Sequence, residues 1–176
     1  MKNVSEMTQI ELAAYVQSWL EKKGIRVILS GGAATEYYSR NRYVSGDIDL
    51  VNAHSEKRKK IKEAMQQIGF IETGRHFKNP ESQFIVEFPP GPLTVGLEPV
   101  KEVVEIEMVT GLLRIISATD CVKDRLAAYY HWQDEQSLYQ ATLIRDEAQV
   151  DLLEIERWSK GEGKENGYQI FLRNKI

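Results

Sequence analysis

Cysteine is almost absent from this chain of 176 residues, which has only Cys121. A single thiol cannot form a disulfide within the chain, so a disulfide-stapled secreted scaffold is excluded and a reducing compartment is favoured. No histidine stands near Cys121 in a recognisable pattern, so we interpret it as a small apolar core residue rather than a nucleophile. These features predict a cytoplasmic protein.

Long apolar runs are also missing. No segment approaches the roughly 20 apolar residues that a membrane-spanning helix needs. The opening stretch, residues 1–6, lacks the apolar core of a signal peptide. We therefore expect neither a membrane partner nor a secretory leader.

Excess positive charge is the third absence, since the net charge is -3 and the pI is about 5.7. Without a global positive field, nucleic-acid binding would need a local basic patch. The basic run at residues 57–62 is one candidate, but a solvated helix face is the favoured interpretation. The charge balance points weakly to a small anionic substrate that arrives with its own metal.

The residues that are present predict a mixed α/β fold followed by helices. Hydrophobic residues make up 42% and charged residues 28%, which is ordinary for a globular chain. Short β-branched runs alternate with helical periodicity as far as a Thr110-Gly111 hairpin, and helical spacing dominates afterwards. We predict an α/β domain over residues 1–116 and a C-terminal helical part over residues 117–176.

Asp47-Ile48-Asp49 is the most informative tripeptide. Alternate side chains of a strand point to the same face, so Asp47 and Asp49 would present two carboxylates side by side while Ile48 enters the core. Two adjacent carboxylates repel each other, and a hard cation with oxygen ligands relieves that repulsion. Alone, the triplet could equally be a strand end with two solvated aspartates.

A glycine pair precedes this strand. Ser30, Gly31 and Gly32 separate the apolar run at residues 27–29 from a short predicted helix. Glycine lets the backbone approach a ligand closely, and a helix N-terminus favours anions. An ordinary tight turn is the alternative, and no Gly-Lys-Ser/Thr follows that would make this a Walker P-loop.

Together, Ser30-Gly31-Gly32-Ala33 and Ser45-Gly46-Asp47-Ile48-Asp49-Leu50 resemble the signature of the DNA polymerase β-like nucleotidyltransferases. The likeness covers residues 27–51 and is nearest to small bacterial members, which include antibiotic nucleotidyltransferases and type IV toxin–antitoxin toxins. It implies a nucleotidyltransferase fold, a mixed β-sheet flanked by helices. It also implies a nucleoside triphosphate substrate, with Mg²⁺ or Mn²⁺ as cofactor.

The resemblance also implies a third carboxylate and a phosphate-binding lysine. Glu87 is the best match for the carboxylate, so Asp47, Asp49 and Glu87 become the expected catalytic and metal-binding residues. Family members more often have aspartate there, and a solvent-facing edge position is an equal alternative for Glu87. Lys123, with Arg125 second, matches the lysine early in the helix after the sheet. Its alternative is a surface charge cluster.

The expected reaction is transfer of a nucleoside monophosphate to an acceptor hydroxyl of unknown identity. Ser30, Gly31, Gly32 and Lys123 would bind the nucleotide. Two other possibilities stay open: a non-catalytic protein of this fold that binds a nucleotide or a partner protein, and a toxin of a two-gene system. The sequence does not specify the preferred nucleotide or the oligomeric state.

Overall fold

The structure, a computed structural model, describes residues 2–176. Its strands are β1 (Val27–Ser30), β2 (Asp47–Asn52), β3 (Ile71–Thr73), β4 (His76–Lys78), β5 (Ile85–Glu87), β6 (Thr94–Val95), β7 (Glu98–Pro99), β8 (Val103–Met108) and β9 (Gly111–Ile116). Its helices are α1 (Gln9–Glu21), α2 (Gly31–Tyr38), α3 (Arg58–Gln66), α4 (Ala118–Trp132), α5 (Glu135–Glu147), α6 (Leu152–Gly161) and α7 (Glu165–Arg173), preceded by a 3₁₀ turn at Val4–Glu6.

Seven of the strands form one mixed sheet in the order β3-β4-β5-β2-β1-β9-β8. Strand β2 lies between β1, to which it is antiparallel, and β5, to which it is parallel. Strands β6 and β7 form a separate two-stranded ribbon. The mixed sheet with flanking helices confirms the predicted fold class.

The strand–turn–helix at β1 and α2 follows directly from its sequence. The three residues Val27, Ile28 and Leu29 are apolar and buried, which suits a central strand. Gly31 then turns the chain at a φ of 66°, a left-handed conformation that glycine adopts without steric cost. The turn thus places the first amides of α2 at the end of β1.

The C-terminal helices share their core with the sheet. Thr8 and Glu11 form a capping box on α1, and Ser117 caps α4 by accepting from the Asp120 N–H. One cluster of buried apolar side chains includes both sheet residues such as Leu29 and helix residues such as Trp158. The division between residues 1–116 and 117–176 stays a prediction.

Two turns set the bounds of further elements. Helix α3 has Lys57 as its N-cap, and Ser55 in the preceding turn has a left-handed φ of 53°. Strands β3 and β4 pair as an antiparallel hairpin around Gly74. Within residues 2–176, every helix is too short or too polar to cross a membrane.

Candidate functional site

The structure places Asp47 and Asp49 on β2, beside the Gly31-Gly32 turn. Ile48 between them is fully buried, so the two carboxylates share the opposite face of the strand. Asp49 pairs with Ser30 across the sheet, and its carboxylate lies against Gly31, where an added Cβ would collide with Asp49 Oδ2. Only glycine therefore allows this carboxylate to pack against the turn.

Gly32 has a different steric role from Gly31. A Cβ at Gly32 would come within 2.6 Å of the Ser45 Oγ, in the loop that leads into β2. Ser45 in turn donates from its hydroxyl to the Asp47 carbonyl at 3.2 Å. The glycine pair thus lets α2 begin directly against the strand that carries both aspartates.

A row of polar side chains crosses the sheet at Asp49. Asp49 is in register with Glu87 on β5, and Glu87 is in register with His76 on β4. Residues in register on neighbouring strands point to the same face. Glu87 therefore faces the same side as Asp49.

The Glu87 carboxylate is drawn toward β4 by two cationic or potentially cationic groups. His76 Nδ1 lies 2.5 Å from Glu87 Oε1, and Arg75 Nε lies 3.8 Å from Glu87 Oε2. His76 Nδ1 is buried and has this carboxylate as its polar neighbour, so the imidazole and Arg75 together hold Glu87 on the β4 side.

Burial and the neighbouring carboxylates raise the pKa of Asp49 to about 6, from an ordinary value of 3.8. Partial burial is the largest cause, followed by repulsion from Glu87 and then from Asp47. Arg125 acts in the opposite direction and lowers this pKa. Without a bound cation, the nearby positive charge of Arg125 does not offset burial and the repulsion among the carboxylates at Asp49.

Asp47 and Asp49 fit a divalent cation, whereas Glu87 does not join them in this conformation. Mg²⁺ commonly takes one or two carboxylates and completes its shell with substrate phosphates and water. Two carboxylates on one strand face, with the pKa of Asp49 raised, match that requirement. No three histidine, cysteine or acidic side chains within residues 2–176 converge as a metal-binding group, since Glu87 is held by His76.

A cleft of about 310 Å³ opens beside Asp49. One wall is the Pro-rich loop after β5, another is the turn at Ser30 and Gly31, and the third is α4 with Asp124 and Arg125. The Arg125 guanidinium is bonded to Asp124 and, at 3.2 Å, to the Gln140 side chain. Arg125, only the second choice in the sequence, is thus the cation of α4 that faces this cleft.

Lys123 does not line the cleft. Its side chain is 2% exposed, and its ammonium lies 2.8 Å from Asp120 Oδ1 and 3.0 Å from Glu154 Oε1. Successive helix positions differ by about 100°, so Lys123 and Arg125 lie on different faces of α4. Lys123 therefore faces α6, and Arg125 faces the cleft. Lys123 is therefore a buried, ion-paired residue, and the expectation that it contacts the phosphates is wrong for this structure.

Gln9 is a residue of the site that the sequence did not reveal. Its buried amide Nε2 donates to the Ser45 carbonyl at 2.8 Å and to the Asp47 carbonyl at 3.3 Å, which fixes the start of β2 against α1. The contact joins residues 36 to 38 positions apart, so no local pattern could indicate it.

The basic run on α3 is largely neutralised. Arg58 and Lys62 both contact Glu72, Lys60 contacts Glu56, and Lys59 lies 3.9 Å from Glu63. These pairs support the interpretation of a solvated helix face rather than a nucleic-acid patch.

No family model matches this sequence, and none of the curated proteins does. The structure, in contrast, matches solved nucleotidyltransferases, and the chain has the nucleotidyltransferase fold. Two matches are structures of the antibiotic-resistance factor ANT(2'')-Ia, one of them in complex with adenylyl-2''-tobramycin. This chain and the ANT(2'')-Ia chain of that complex are 15% identical in sequence and superpose with a TM-score of 0.51. The alignment covers 94% of this chain and 97% of the other.

The solution structure of ANT(2'')-Ia gives a similar result, with 14% identity, a TM-score of 0.51 and coverage of 94% and 91%. A further match is an antigenic nucleotidyltransferase-like protein from Paracoccidioides brasiliensis, at 16% identity and a TM-score of 0.57. That alignment covers 77% of this chain and 75% of the other. At these identities the matches establish the fold, and the chemistry has to be argued from the residues of the site.

The raised pKa of Asp49 makes stability depend on pH. The folded protein binds the Asp49 proton more tightly than the unfolded chain does, so this residue lowers the free energy of unfolding as pH rises from about 4 to about 6. In EDTA at pH 7.5, Asp49→Asn should therefore melt at a higher temperature than the wild type. The difference should shrink as the pH is lowered toward 4, and a difference that is the same at every pH would contradict this assignment.

Proposed function

We propose that this protein is a metal-dependent nucleotidyltransferase that moves a nucleoside monophosphate from a nucleoside triphosphate to an acceptor hydroxyl. The observation that carries the proposal is the placement of Asp47 and Asp49 on one strand face against the Gly31 turn. The cleft beside them has a cation, Arg125, and the N-terminus of α2, both suited to phosphate.

The chain's own residues would bind and orient the triphosphate. Ser30, Gly31 and Gly32 would offer backbone amides at the start of α2 to the terminal phosphates, and Arg125 would contact them from α4. Asp47 and Asp49 would hold the divalent cation, Mg²⁺ or Mn²⁺. When bound, that cation supplies charge neutralisation at the attacking and leaving oxygens.

In the transfer, the acceptor oxygen forms a bond to the α-phosphorus while the bond from that phosphorus to the bridging oxygen breaks, and pyrophosphate leaves. The acceptor hydroxyl loses its proton, and Glu87 is the candidate base. For that role the Glu87 carboxylate has to turn from His76 toward Asp49, which lies in register on the neighbouring strand. Positioning and charge stabilisation would supply most of the rate enhancement.

A second candidate function is nucleotide binding without catalysis. The observation in its favour is that Glu87 is engaged by His76 and Arg75 rather than grouped with the two aspartates. Turnover distinguishes the two functions, because a binder would take up nucleotide with metal but release no pyrophosphate.

The test is a screen of the four α-labelled nucleoside triphosphates with Mg²⁺ or Mn²⁺. Acceptors should include small hydroxyl and amine compounds, RNA, and the protein itself. Label on RNA or protein would favour a toxin, and label on a small molecule would favour a modifying enzyme. Transfer to none of them, with nucleotide bound, would support the binding function. A cytoplasmic location is part of this proposal and rests on the single buried cysteine.

A further inference from the structure

A second cavity along α4 borders the cleft at Asp49. This second cavity has a volume of about 500 Å³ and shares Asp124 and Arg125 with the cleft. Its far end is formed by Leu97, in the ribbon turn between β6 and β7, and by Trp132, the last residue of α4. We call this second cavity the α4 groove.

A buried carboxylate holds the two walls of the α4 groove together. The Glu162 side chain is 4% exposed, accepts from the Leu97 backbone N–H at 2.9 Å, and lies 3.1 Å from His131 Nε2. Gly96 has no room for a side chain, because an added Cβ would collide with the same carboxylate. The ribbon turn and the end of α4 are therefore fixed relative to each other.

Large apolar side chains are exposed at the end of this groove. Trp132 is 77% exposed and Leu97 is 85% exposed. A single exposed apolar residue is ordinary, but here two of them line one cavity that shares a wall with the cleft at Asp49.

The charges of the groove indicate what it can hold. Asp124 is paired with Arg125, and Glu162 is engaged by His131 and the Leu97 amide. Neither carboxylate is free to attract a cationic ligand. The groove thus has the Arg125 guanidinium at its junction with the cleft and a flat apolar surface at its far end, which matches a phosphate joined to an aromatic ring.

We propose that the α4 groove seats the nucleobase of the nucleoside triphosphate, with Trp132 as its stacking surface and Leu97 on the opposite side. Trp132 lies seven positions after Arg125, or about 10 Å along the helix, so a nucleotide with phosphates at Arg125 extends toward Trp132. Trp132 becomes a specificity-determining residue of the site. The inference rests on the proposed function, because it assumes that the phosphates lie at Asp49 and Arg125.

Calorimetric titration of Trp132→Ala tests this assignment. The probes are the α,β-methylene analogues of ATP and UTP, which resist cleavage between the α- and β-phosphates, and inorganic tripolyphosphate, which lacks a base, all with Mg²⁺. Stacking on an aromatic side chain predicts an affinity for the ATP analogue about tenfold weaker in the variant, with a smaller loss for the UTP analogue. Tripolyphosphate should bind equally to both proteins.

Two control variants complete the design. Trp132→Phe should keep most of the affinity because it keeps an aromatic face, and Leu153→Ala, at a residue that is 79% exposed and outside the groove, should change nothing. If Trp132→Ala binds the analogues as tightly as the wild type, or weakens tripolyphosphate equally, the nucleobase assignment fails while the proposed function stands. If the wild type binds neither tripolyphosphate nor the analogues, the proposed function fails and the nucleobase assignment fails with it.

Discussion

Replacing Asp49 with alanine should lower the rate of nucleotidyl transfer at least about a hundredfold. Substituting a residue that merely supports a metal ligand typically costs 10- to 100-fold, so loss of a direct ligand should cost no less. Asp49 is also the carboxylate closest to the glycine turn, where the phosphates would lie. The measurement is initial transfer rate at saturating triphosphate and Mn²⁺, with folding checked by circular dichroism.

Glu107→Gln is the matched control for this experiment. Glu107 is an exposed acid on β8, at the far edge of the sheet from β5, and should have no part in the reaction. Equal activity of wild type, Asp49→Ala and Glu107→Gln would remove Asp49 from the catalytic machinery. A loss in Asp49→Ala alone would support the metal-ligand role.

Lys123→Ala should destabilise the protein by about 3 kcal/mol, because it leaves the buried Asp120 carboxylate without its ammonium partner. For a chain of this length, that change corresponds to a melting temperature roughly 6–12 °C lower. At a temperature where the variant is fully folded, its nucleotide affinity should match that of the wild type. Thermal melts and calorimetry measure the two effects separately.

Lys101→Ala and Arg125→Ala are the comparisons. Lys101 contacts the same Glu154 oxygen as Lys123 but is half exposed, so its loss should cost less than about 1 kcal/mol. Arg125→Ala should weaken nucleotide binding about tenfold, the effect of losing a charge-assisted hydrogen bond. A Lys123→Ala protein of normal stability with weakened nucleotide affinity would instead restore the phosphate-binding role.

The most predictable parts of the molecule are those encoded by neighbouring residues. The run Val27 to Ser30, the glycine pair and the Asp47-Ile48-Asp49 alternation lie within 25 positions, and each follows from strand or turn chemistry. The capping box at Thr8 and Glu11 is equally local. These elements fix β1, α2 and β2, the strands and helix that hold the carboxylates.

The sequence was less informative wherever a side chain depends on a distant partner. Lys123 is buried because Glu154, 31 positions away, supplies a charge on α6. Trp132 is exposed because its helix ends beside an open groove rather than a core. The β3–β4 hairpin places His76 beside Glu87. Gly74, between two polar residues, is the sequence feature that could have indicated this hairpin.

The most direct test of nucleotidyl transfer is to determine which phosphate of the triphosphate reaches the acceptor. The wild-type protein should be incubated with Mn²⁺ and an accepted nucleoside triphosphate that carries its label on either the α- or the γ-phosphate. Nucleotidyl transfer predicts that the α-label appears on the acceptor while the γ-label is released entirely as pyrophosphate. Label from the γ-phosphate on the acceptor, or no transfer from either position to any acceptor, would contradict the central claim.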